Sequence, residues 1–88
     1  MKTQEMKLDG NAIGGLLLEL FGWEMTDATA VCRSCGAEGP MACLDVYVHA
    51  PGTVVRCRTC QSVVMRFVRA GERWWLDLGG AASVELRS

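Results

Sequence analysis

The sequence has a single histidine, His49, two prolines, and no lysine beyond Lys7 in 88 residues. One histidine leaves no Ser-His-Asp or Cys-His pair with support in the sequence, and paired carboxylates are also missing. A phosphate-binding loop is absent too. "GNAIGG" opens a helical pattern, but it carries no lysine and no strand is expected before it. The apolar run "AIGGLLLELFG" is about ten residues, and a bilayer needs roughly twenty. That run follows Lys2 and Lys7, and "ATA" at 28–30 mimics a cleavage site. Asp9 and Glu19 interrupt the run, and Glu24 and Asp27 follow it, so a signal peptide is not expected. Strong charge of one sign is lacking as well. The net charge is −1, divided as −3 over residues 1–31 and +2 over residues 32–88. A nucleic-acid-binding domain usually presents a clearly basic face.

What is present is sulfur. Five cysteines lie between residues 32 and 60, four of them in two Cys-x-x-Cys pairs, Cys32/Cys35 and Cys57/Cys60. An odd count argues against a secreted disulfide scaffold and for a reduced, cytoplasmic setting. In a Cys-x-x-Cys turn both thiolates can face one ion, and the amides of the turn stabilise their charge. Two such turns supply the tetrahedral set that zinc accepts. Twenty-one residues separate Cys35 from Cys57, one more than the usual window of about 15–20. A strand out and a strand back, turning at "APGT", would fill the gap. Gly36 suits the end of the first knuckle because it tolerates positive φ. The second knuckle has Gln61 there instead. Neither pair precedes a helical pattern, as a thioredoxin-like redox motif would. Four thiolates leave no open coordination position, which makes the site structural rather than catalytic.

The rest of the chain reads as one domain. Half of its residues are hydrophobic, so a packed fold is expected; at this length it needs a staple. Residues 1–8 are expected to fray. A helix is expected over 9–22, capped by Asp9 or Asn11 and stopped by Gly22. Ile13, Leu16, Leu17, Leu20 and Phe21 form its one apolar stripe. Leu18 and the Gly14/Gly15 face are left over, as a seat for a second copy or a partner. Residues 28–88 read as the ribbon. "ACLDVYVHA" is expected as a strand with Leu44, Val46 and Val48 facing the core. Cys43 is expected as a small buried hydrophobe and His49 as a turn residue. "SVVMRFVR" and "RWWLDL" form a hairpin. Trp74, Leu76 and Leu78 are its expected core face, and Trp75 points the other way. "ASVEL" adds a short edge strand. Arg33, Arg56 and Arg58 surround the knuckles and form a candidate partner patch with Trp75.

"LDGNAIGGLL", "FGWEMT", "CRSCG", "APGTVVRCRTC" and "WLDLGG" carry a resemblance over nearly the whole chain. They resemble a family of short, uncharacterised zinc-ribbon proteins from actinobacteria. The resemblance implies a small metal-bound α+β fold, a zinc ribbon of antiparallel hairpins preceded by one helix. It implies no activity, and it suggests an accessory role beside an oxidoreductase.

The expectation is therefore one structural Zn²⁺ on Cys32, Cys35, Cys57 and Cys60. The protein would be a non-enzymatic interaction or accessory subunit that contacts another protein or its own copy. Two alternatives stand beside it. "CRSCG" also resembles the first knuckle of rubredoxin, which makes an iron electron carrier the first rival. The second is a nucleic-acid-binding ribbon using Arg33, Arg56, Arg58, Arg66, Arg69 and Arg73.

Overall fold

The computed structural model describes residues 6–49 and 52–86. The chain opens with β1 (Met6–Asp9) and a 3₁₀ turn (Gly10–Ile13), followed by α1 (Gly14–Phe21). Then come β2 (Thr29–Cys32), β3 (Glu38–Pro40), a second 3₁₀ turn (Met41–Cys43) and β4 (Asp45–His49). The chain continues through β5 (Gly52–Arg56), β6 (Val63–Ala70), β7 (Arg73–Asp77) and β8 (Ala81–Glu85). Together these make a small α+β fold with one α-helix and two antiparallel sheets. One sheet is five-stranded, in the order β1-β4-β5-β6-β7, and the other three-stranded, in the order β3-β2-β8.

The expected helix is shorter than the 9–22 predicted. Asp9 caps the preceding turn by accepting from the Asn11 amide. Gly22 closes α1 in the left-handed region, at φ 67°, with its N–H on Leu18 O. The apolar stripe faces inward. Ile13 and Leu17 are buried, and Leu16, Leu20 and Phe21 pack against the same core. Phe21 meets Phe67 of β6 edge to face, with ring centroids 6.2 Å apart. Phe67 is fully buried, and burying such a side chain stabilises by roughly 2–3 kcal/mol. Met65, Val55 and Val46 continue this layer across β6, β5 and β4.

Several expectations need correction. The frayed terminus does not extend to residue 8, because Met6–Asp9 pair with β4 from Met6↔Val48 to Asp9↔Asp45. "GNAIGG" therefore does follow a strand. The strand expected over "ACLDVYVHA" begins only at Asp45, and Cys43 ends a 3₁₀ turn instead. Cys43 is exposed, not buried. Within β4, Val46 is buried, and Val48 and Leu44 pack at the margin of the core, as alternation requires. Leu76 and Leu78 were expected in the core but are exposed. They lie on or just beyond β7, an edge strand of the five-stranded sheet, while only Trp74 of that face packs against the core. Ala50 and Pro51 of the expected "APGT" turn lie outside the described residues, as does the side chain of His49.

Candidate metal centre

Each Cys-x-x-Cys motif forms the tip of a hairpin. β2 and β3 pair up to Val31↔Glu38, and β5 and β6 pair up to Arg56↔Val63. The two tips close with the same bonds. In the first, Gly36 N–H donates to Cys32 O and Cys32 N–H to Ala37 O, both at 2.9 Å. In the second, Gln61 N–H donates to Cys57 O and Cys57 N–H to Ser62 O, again both at 2.9 Å. This shared loop needs a left-handed residue directly after the second cysteine. Gly36 provides it at φ 79°, and Gln61 adopts it at φ 64°. A side chain in that region costs roughly 1–2 kcal/mol, so Gln61 must be held.

Its neighbours hold it. Gln61 Nε2 donates to Asp45 Oδ2 at 2.7 Å and to Cys57 O at 3.1 Å. Tyr47 OH donates to Gln61 Oε1 at 3.2 Å, and Arg56 donates to Gln61 O at 2.7 Å. The Arg56 guanidinium also lies over the Tyr47 ring, 5.9 Å from its centroid. The second knuckle thus takes from β4 and β5 the support that a glycine gives the first.

The two tips bring four sulfurs together. Cys32 Sγ lies 3.7 Å from Cys60 Sγ, and Cys35 Sγ lies 3.6 Å from Cys57 Sγ. All four fall within 4.8 Å of one another. A tetrahedron with metal–sulfur bonds of about 2.3 Å has edges of about 3.8 Å, so this donor set fits a thiolate-bound ion. A disulfide, at about 2.05 Å, is a different arrangement. Cys32 and Cys57 are buried, whereas Cys35 and Cys60 are exposed. Cys43 lies outside the cluster.

The sulfurs differ in acidity. The hydroxyl and amide of Ser62 hold Cys60 down, to about 6. Burial pushes Cys57 up, but the amides of Cys60 and Thr59 outweigh it and leave the thiol lowered. The Ala37 amide pulls Cys35 down, yet burial and the sulfurs of Cys57, Cys60 and Cys32 push it up to about 12. Four adjacent thiols cannot all ionise without a cation among them. A bound dication removes that barrier and deprotonates a coordinating thiol.

A third segment clasps both tips. Gly80 N–H donates to Val64 O at 3.1 Å, just past the second knuckle, while Gly80 O accepts from Arg33 N–H at 2.9 Å inside the first. Arg33 Nε adds a bond to Gly79 O at 2.8 Å, and its NH2 reaches Ala81 O at 3.4 Å. The approach is close enough that a Cβ on Gly80 would fall 1.9 Å from Val63 O. Asp77 shapes the turn by accepting from the Gly79 amide at 2.9 Å. "CRSCG" and "WLDLGG" therefore meet in space.

A family model matches residues 2–88. The chain belongs to DUF6510, a family of unknown function. No curated protein and no solved structure matches it. Family membership assigns none of the expected partner residues. Arg33 and Arg56 are occupied inside the knuckles, so they are not a free patch. Gly14 is not bare surface either, since a Cβ there would sit 3.3 Å from Thr26 Cγ2. Arg58 is exposed and makes no hydrogen bond or ion pair with the described residues. Leu18 and Trp75 are 50% and 54% exposed. Among the described residues no helix is long and apolar enough to cross a membrane. The sequence reading missed the structural role of Gln61. The signal was there, in the unmatched position after the second Cys-x-x-Cys, but its partners lie on β4 and β5.

Proposed function

We propose that this chain is a non-catalytic zinc-ribbon protein that acts as an interaction or accessory subunit in the cytoplasm. One Zn²⁺ would sit on Cys32, Cys35, Cys57 and Cys60 and tie the two hairpins together. The reading is carried by the closed sulfur set: four donors occupy every corner of a tetrahedron, leaving none for a water or a substrate. Among the described residues fourteen hydrophobic ones form the buried core, a small core that benefits from metal-linked folding energy. The exposed Leu18, Trp75 and Arg58 are left for a protein partner. An oxidoreductase is the partner class suggested by the sequence resemblance.

The test is purification from the native host with metal analysis. One zinc per chain and a reproducibly co-purifying protein, lost in a Leu18→Glu or Trp75→Glu variant that keeps its metal, support the reading. A chain that purifies without metal overturns it.

One observation favours a second reading, a rubredoxin-like iron electron carrier: Cys35 and Cys60 are exposed, giving electrons a short path to the surface. A coloured, iron-loaded protein that bleaches reversibly on reduction selects this reading. A colourless zinc protein removes it. The nucleic-acid reading has less support. Arg33 and Arg56 are committed within the knuckles, and Arg66 pairs with Asp77 at 2.7 Å.

A further inference from the structure

Three exposed large apolar side chains lie on or just past β7. Trp75, Leu76 and Leu78 are 54%, 37% and 40% exposed. β7 ends the five-stranded sheet, and no described strand pairs with its outer side. The turn Gly71–Glu72 closes on the pair Ala70↔Arg73, with Gly71 at φ 66°. In a two-residue hairpin the closing pair exchanges both backbone bonds, and the pattern then alternates. Arg73, Trp75 and Asp77 therefore bond inward to β6, while Trp74 and Leu76 direct their N–H and C=O groups outward. Protein edges are usually blunted by lysine, proline or a bulge. The middle of β7 has none of these.

The residues of β7 are complementary to themselves. In an antiparallel pair of β7 strands with a twofold axis at Trp75, Trp74 falls opposite Leu76 and Arg73 falls opposite Asp77. Trp74 and Leu76 are the two residues with free outward groups, so both cross pairs can be hydrogen-bonded. Arg73 and Asp77 share the face of Trp75, so at each end a cation meets a carboxylate that is also paired with Arg66 of its own chain, and the two indoles meet in the middle. At non-hydrogen-bonded positions such as Trp75 facing Trp75, side chains come closest. Arg66 already lies over the indole, 5.3 Å from its centroid.

We infer that β7 pairs with β7 of a second copy and joins the two five-stranded sheets into one. Trp75 also serves the accessory reading, but the dimer is tested on the purified chain alone, so either reading can fail without the other. A five-residue edge is shorter than a standard interface, so the dimer is weak and reversible, with a Kd of roughly 10 µM to 1 mM.

Sedimentation equilibrium of the full, metal-loaded chain tests this. A monomer–dimer equilibrium in that range is expected. Trp75→Lys sets two ammonium groups against each other across the axis and weakens the dimer at least about tenfold. Leu76→Pro removes an outward N–H but none of the inward bonds to β6, and it should do the same. Retained metal shows that each variant is folded, and either variant suffices if the other does not fold. A chain that stays monomeric at about 1 mM overturns the inference. So does a dimer indifferent to these changes but broken by Leu18→Glu on α1.

Discussion

Gln61 offers the sharpest test of how the second knuckle is built. It holds a left-handed backbone that glycine occupies in the first knuckle, and its side chain makes three hydrogen bonds. Gln61→Ala keeps the strained backbone and removes those bonds. One goes to the carboxylate of buried Asp45 and two to neutral groups, and only the Tyr47 bond is open to solvent. The expected loss is about 2 kcal/mol in total. Gln61→Gly loses the same bonds but relieves the backbone, returning about 1 kcal/mol after its greater freedom in the unfolded chain is counted. Metal binding and folding are linked in such domains, so chelator competition on the zinc-loaded protein is the assay. At tenfold per 1.4 kcal/mol, Ala should weaken retention about thirtyfold and Gly about fivefold. A Gly variant that holds metal no better than Ala would refute the claim that Gln61 is a strained residue held by its side chain.

Cys57→Ser should abolish metal retention and unfold the domain, whereas Cys43→Ala should leave metal content unchanged; metal analysis with circular dichroism checks both. Gly80→Ala should destabilise by about 2 kcal/mol or more, because its Cβ would meet Val63 O and break the clasp; an unchanged melting temperature refutes the clasp. Acid should release the metal. Protons compete with the metal for each thiolate, and Ser62 makes the Cys60 thiol more acidic, lowering it to about 6, so Ser62 helps Cys60 remain a ligand as pH falls. Ser62→Ala raises the folded value and should move the release midpoint to higher pH, read by metal release against pH.

The sequence predicted some parts of this molecule far better than others. The four sulfurs were legible because Cys-x-x-Cys is a local loop, and its spacing alone aims two thiolates at one point. The inward stripe of α1 was legible because five apolar residues repeat at the helical period. Four-residue β1 was not legible, since Met6–Asp9 is too short to show a period and its partner lies some forty residues on. Leu76 and Leu78 were misplaced for a related reason. Alternation marks which residues share a face but does not say whether anything covers it, and β7 lies at the end of its sheet. Arg33 looked like part of an open partner patch because its acceptors, Gly79 and Ala81, are nearly fifty residues away.

The sequence by itself determined the sulfur loops, the helix face and the alternation along the strands, because each depends on residues a few positions apart. Only the tertiary structure decided that Gln61 could stand where a glycine is expected, that Gly79–Gly80 clasps both knuckles, and that Trp75 borders an open edge. Those outcomes rest on backbone groups brought together from distant segments, and local spacing carries no record of such meetings.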